Sequence, residues 1–200
     1  MLTIHADSRG RALAVEGAWI ADAGQLTDLI AAHPRARVRQ WPGILTPGLI
    51  NLHGNELLEE AYHPDPRESA ELGTDPLTGD ALAALTMDDA RWGASARRGL
   101  QRMLAHGTVR VACEEPRNRA VRDALHRSRL AMGRLGRPGG TPALDPYDSG
   151  WPVEFAQVRE RHSAARFAVF DVRDEDELAQ RGAGTCVATV VDGRLVYRRR

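Results

Sequence analysis

Two hundred residues fit one ordinary domain, or one domain carrying a modest insertion. Twenty-seven basic and 27 acidic residues cancel, so no overall field points to nucleic acid or to a membrane surface. The apolar runs fall far short of the ~20 residues that span a bilayer, and the first residues carry no signal-peptide pattern. Cys113 and Cys186 stand alone, without metal-type spacing, and are expected as reduced thiols in a cytoplasmic protein. Every basic residue is arginine. The chain therefore has no lysine to serve as a Schiff base, a general base or a carboxylated metal ligand.

In chain order, Leu2 to Ala6, Ala12 to Glu16 and Ala18 to Ala21 predict short strands, turned by Asp7-Ser8-Arg9-Gly10 and by Gly17. Gln25 to Ala32 predicts a short helix, stopped by Pro34, and Arg37 to Trp41 another strand, cut by Pro42-Gly43. Residues 56–80 are rich in Pro, Asp, Glu and Gly without a sustained period, and are expected to form a long loop. Thr86-Met87-Asp88-Asp89 offers a cap and an acidic first turn for a helix that runs to about Ala105 and ends at His106-Gly107. Thr108 to Cys113 predicts a β-branched strand, Asn118 to Ser128 a helix, and Arg129 to Gly133 a further short strand. Residues 137–142 read as the clearest linker. Strands are expected again at Arg166 to Val172 and Cys186 to Val191, with a short helix from Glu175 to Gln180 between them. Asp192-Gly193 then predicts a type I′ hairpin into Leu195-Val196-Tyr197.

One segment stands apart. From Ile44, an apolar run leaves the turn Pro47-Gly48, passes Leu49-Ile50-Asn51-Leu52, and delivers His53, then Gly54, Asn55 and Glu56. This resembles the start of the first barrel strand in the amidohydrolase superfamily, and most closely its imidazolonepropionase and aminodeoxyfutalosine deaminase-like branch. The family pattern there is Pro-Gly, two apolar residues, Asn or Asp, an apolar residue, and His-x-His. The sequence matches every position but the last, where Asn55 replaces the second histidine. Leu100 to Val109 resembles the helix, turn and second strand of the family. Ala165 to Val172 and Val190 to Val196 resemble its returning C-terminal strands. The likeness covers roughly residues 1–113 and 142–200.

The resemblance implies an α/β (α+β) protein: a composite β-sandwich from residues 1–43 and 165–200, and a truncated (β/α) barrel remnant from residues 44–164. A full barrel takes about 200 residues or more, whereas about 120 lie between Gly43 and Ala165. Two or three barrel strands are expected, and the later family strands, with their two further histidines and catalytic aspartate, have no counterpart. In the family, paired histidines hold zinc or a similar divalent ion, whose bound hydroxide attacks a C–N carbon.

If the centre survived, His53 would be a metal ligand, and strand alternation would aim Asn55 to the same side with an amide in place of an imidazole. Glu56, His63 and Asp65 are the other candidates for an improvised site, and catalytic residues are not identified. Glu114-Glu115 read as a solvated strand end, Cys113 as a small buried thiol, and Arg198-Arg199-Arg200 as a solvated tail. Residues 136–140 do not follow a strand as a phosphate loop would. The expectation is a degenerate amidohydrolase-like protein with an accessory or interaction role. Its open sheet edges would be covered by a second copy or by a related enzyme. The alternative is an active hydrolase or deaminase of a small cyclic amide or amidine. Neither nucleic acid nor membrane is expected as a partner.

Overall fold

A computed structural model describes residues 1–133, 139–156 and 163–199. Strands β1 (Leu2–Ala6), β2 (Arg11–Glu16) and β3 (Trp19–Gln25) form an antiparallel meander. Helix α1 (Leu26–Ala32) then returns the chain so that β4 (Arg37–Gln40) lies parallel to β1. The resulting sheet A has the order β3-β2-β1-β4. Strand β5 (Ile44–Pro47) leaves it, and after Gly48 β6 (Leu49–Asn51) begins a different sheet.

Residues 54–83 contain three short α-helices, α2 (Gly54–Glu59), α3 (Ser69–Leu72) and α4 (Gly79–Ala83), and a 3-10 turn at Pro66–Glu68. The long loop expected over 56–80 is therefore partly helical. Arginines of the next helix, α5 (Asp89–Ala105), tie it down. Asp88 caps α5, its carboxylate accepting the Arg91 N–H at 2.7 Å. Strand β7 (Thr108–Ala112), helix α6 (Arg119–Arg127) and strand β8 (Ala131–Gly133) follow, and then β9 (Glu154–Phe155). In sheet C the order is β8-β7-β6-β9, with β6, β7 and β8 parallel and β9 antiparallel.

The chain closes with β10 (Phe167–Phe170), α7 (Glu175–Arg181), β11 (Cys186–Val191) and β12 (Arg194–Arg198). Sheet B, β12-β11-β10-β5, is antiparallel throughout. Asp192 and Gly193 turn the last hairpin at φ 48° and 71°, the positive values that a type I′ turn requires. The protein is thus mixed α+β, with three small sheets and no closed barrel among the described residues. Of the linker expected at 137–142, residues 137 and 138 lie outside the described residues, as do residue 136 of the glycine-rich stretch and residue 200 of the terminal arginines.

Three buried clusters tie the layers together. Val15 and Ile20 of sheet A meet Leu45, Phe167, Val169, Ala188 and Val190 of sheet B. Ala96, Leu100 and Leu104 of α5 and Val121, Ala124 and Leu125 of α6 cover Val109 and Val111 on one face of sheet C. Ile44, Leu49, Phe170, Leu178 and Cys186 link sheets B and C. At about 25 cal/mol per Å² of apolar surface, these clusters supply the main driving force. Polar groups then fix how the layers meet. Thr189 Oγ1 of β11 donates to the Leu104 carbonyl at the end of α5, at 2.6 Å.

Asp7 makes another of these polar joints. Its fully buried carboxylate accepts from Arg9 N (2.9 Å), Arg11 N (2.9 Å), Arg11 Nε (2.8 Å) and, across to sheet B, Leu45 N (3.2 Å). Arg9 and Arg11 continue to Glu175 at the start of α7. Replacing Asp7 by Ala leaves these donors without an acceptor and should cost about 2–4 kcal/mol. Asp7→Asn should cost less, since one oxygen survives. Urea unfolding that gave both variants wild-type midpoints would contradict this role.

Candidate functional site

The residues singled out in the sequence begin where β6 ends. Asn51 is buried, and its Oδ1 accepts the backbone N–H of His53 at 3.0 Å while its Nδ2 donates to the Ala143 carbonyl at 2.9 Å. That side-chain turn stops the strand at once. Gly54 then opens α2 hard against β7, where a Cβ would lie 2.7 Å from the Ala112 carbonyl oxygen. His53 is therefore the residue before a helix, and Asn55 sits within that helix. The two are not strand neighbours, so the alternation that would aim both at one ion does not operate here.

His53 is 4% exposed, and both of its ring nitrogens are buried without a hydrogen-bond partner. Glu56 Oε1 stands 4.0 Å from Nδ1. Beside the ring, Asn51, Ala143, Ser149 and Glu154 border a cavity of about 10 Å³, room for roughly one water. Asn55 is committed elsewhere. Its Oδ1 accepts the Glu114 N–H at 2.8 Å, and its Nδ2 donates to the Glu114 carbonyl and to Glu59, each at 3.2 Å. Both ends of the amide thus fasten α2 to the end of β7.

His63 and Asp65 belong to a different network. His63 is fully buried, with its backbone N–H donating to Ser95 Oγ at 2.9 Å and its Nε2–H to the Leu57 carbonyl at 2.8 Å. Its ring packs on Gly99 of α5, where a Cβ would meet Nε2 at 2.5 Å. Arg98 donates to the His63 carbonyl at 2.7 Å and pairs with Asp65 at 3.4 Å. Asp65 and Glu68 form a reciprocal capping box, and Glu68 also accepts from Tyr62 and Arg91. Arg91 and Arg98 lie over the Tyr62 ring at 4.7 and 5.6 Å from its centroid. This network docks residues 61–77 on α5.

The five candidates therefore divide, with Asn55 held by Glu114. His53 and Glu56 stand together, whereas His63 and Asp65 are held by α5. Among the described residues no group of three or more His, Cys, Asp or Glu could hold a metal ion. With Asn55 spent on the backbone of Glu114, the donors around His53 do not fit a zinc centre. Burial, with the charge of Glu59, pushes the Cys113 thiol up to about 11, away from nucleophilic use. Cys113 is half-buried rather than buried as expected, whereas Cys186 is buried, its thiol also pushed up to about 11 by burial. Glu115 pairs with Arg122 at 3.6 Å, and Arg198 lies over the Trp41 ring.

In the sequence Asn51 stood only for the Asn or Asp of the family pattern, and nothing there marked it as the residue that ends β6. Arg110, the one charge in the strand Thr-Val-Arg-Val-Ala, was not among the candidates. No family model matches this chain, and no curated protein matches it.

Two histidines make stability depend on pH. Burial, reinforced by Arg102 and Arg98, lowers His63 from the ordinary 6.5 to about 4. Burial, with Arg39, does the same to His5, which accepts Trp41 Nε1–H on Nδ1 at 3.1 Å. The unfolded chain takes up these protons near pH 6.5, and the folded one only near pH 4. Their stabilisation is therefore complete above 6.5 and is lost as pH falls toward 4, by at most about 3 kcal/mol for each. Urea midpoints should fall across that window, less steeply in His63→Gln. An unchanged slope in that variant would remove His63 from the account.

Proposed function

We propose that this chain is a degenerate amidohydrolase-like protein that serves as an accessory or interaction protein rather than a catalyst. One observation carries the reading. Asn55, at the position of the family's second histidine, uses both ends of its amide to join α2 to β7, so a ligand position has become a packing position. In this reading residues 1–43 and 165–200 are the composite β-sandwich and residues 44–164 the barrel remnant. A buried cluster drawn from both chain ends supports the first. Three parallel strands with α5 and α6 on one face support the second. Residues 44–47 are the joint, since β5 pairs with β10.

A parallel sheet stopped after three strands needs a cover for its edges. Among the described residues nothing pairs with the outer edge of β8. A second copy of the chain, or a related enzyme, is the proposed cover. Multi-angle light scattering should find a dimer or a defined complex; a clean monomer beside every candidate partner would count against this role.

A second reading, an active metal-dependent hydrolase or deaminase of a small cyclic amide or amidine, is favoured by the two unpartnered nitrogens of His53. Metal analysis separates the two. Gently purified protein should carry only substoichiometric zinc, and Asn55→His should gain neither zinc nor activity while losing about 1–2 kcal/mol of stability. One zinc per chain, lost in His53→Ala, would overturn the degenerate reading.

A further inference from the structure

The other face of sheet C holds a second arrangement of charges. Val109 and Val111 point into the core beneath α5 and α6, so alternation puts Arg110 on the opposite face. There Ala131, Arg110, Ile50 and Glu154 form one row across β8, β7, β6 and β9. A cavity of about 290 Å³ opens over this row, with Ile50, Phe155, Ala156 and Ala164 as its apolar wall. That is close to the smallest size usual for small-molecule sites, ~300 Å³. It lies toward the strand beginnings: Ala156 N–H donates to the Gly48 carbonyl at 2.7 Å, and Gly48 N–H to that of Arg166 at 3.4 Å. His53 follows the opposite end of β6.

The charges in this cavity are uncommitted in a particular way. The Arg110 guanidinium lies against Gly133, where any Cβ would overlap it. Among the described residues it makes neither an ion pair nor a hydrogen bond, and its Nε is buried without a partner. Arg166 also borders the cavity, but its Nε is held by Asp192 at 2.8 Å. At the other end of the row, Glu154 is exposed and likewise unpaired among the described residues. The intervening strand, β6, separates the backbones of Arg110 and Glu154 by about 10 Å. Two free charges of opposite sign thus face one cavity with an apolar floor between them.

We propose that this cavity binds a small zwitterion: a carboxylate gripped by Arg110, a short apolar chain over Ile50 and Phe155, and an ammonium nitrogen against Glu154. A simple anion would leave Glu154 repelling it, and a simple cation would meet Arg110. Arginine presents the fork geometry that a carboxylate matches, and its fixed seat on Gly133 lowers the ordering cost of binding. This site does not rest on the amidohydrolase-like reading, since it shares no ligand position with His53 or Asn55.

Titrating the full chain with ω-amino acids from glycine to 6-aminohexanoate, with butyrate and butylamine as controls, tests it by ¹H–¹⁵N NMR. A middle member of the series should bind most tightly and shift the resonances of Ile50, Arg110 and Phe155. Arg110→Gln should weaken that amino acid and butyrate by about tenfold or more. Glu154→Gln, at an exposed position, should weaken the amino acid but not butyrate, and so keeps the test decisive if Arg110→Gln fails to fold. The proposal is overturned if no compound gives saturable shifts, if butyrate binds as tightly as the best amino acid, or if Glu154→Gln leaves amino-acid binding unchanged.

Discussion

Backbone crowding along residues 43–54 sets how the sheets of this molecule meet, because in that stretch the chain crosses from sheet A to sheet B and on to sheet C. Gly43, at φ 70°, brings the backbone against β10, where a Cβ would sit 2.8 Å from Asp171 Cα. Gly48 lies against Val109 of β7, and Gly54 against Val111 and the Ala112 carbonyl. A side chain at any of these points would have to push β10 or β7 away, and close-packed interiors resist such movement. The position of Asn55 has the same origin. The glycines let β6 and α2 lie so close to β7 that Asn55 reaches the Glu114 backbone.

Arginine chemistry organises much of what surrounds this frame. With no lysine in the chain, each fixed cation is a planar fork that can bridge several acceptors. Arg91 joins Tyr62, Glu68 and the Thr86 carbonyl, and Arg98 joins His63 and Asp65. These bridges turn a polar, aperiodic stretch into an ordered layer on α5. Histidine and carboxylate residues in such a stretch look like site chemistry on paper. Here His63 and Asp65 serve as the pegs by which the layer is attached. Asp7 plays the same part on the other side of the molecule, where its buried oxygens tie the first turn to β5 and, through Arg11, to α7.

Legibility followed the range of the interactions involved. β1, α5, α6 and the Asp192-Gly193 hairpin were readable because alternation, caps and turn residues act within a few positions. Asp88, Asn118 and Asp174 each cap the helix that follows them. The extent of β6 was not readable. Its end depends on the Asn51 side chain capturing the His53 N–H, which competes with one more residue of pleat by a margin no pattern records. The division of the candidate residues was equally hidden, since His63 lies against Gly99 and Asn55 against Glu114, 36 and 59 positions away. Arg110 was visible as a charge in an apolar strand, but its lack of a partner is a property of the assembled face.

By itself, the sequence determined the mixed α+β character, the positions of most helices and strands, and the glycines where the chain must turn or pass closely. These follow from backbone geometry and from short-range periodicity, which each segment carries alone. Only the tertiary structure decided which strands pair within the three small sheets, that β6 ends at Asn51, and that His53 stands with Glu56 while Asn55 faces away to β7. Those outcomes depend on which distant groups are brought within hydrogen-bonding or van der Waals reach. That is settled by packing the whole chain at once, and not by any local preference.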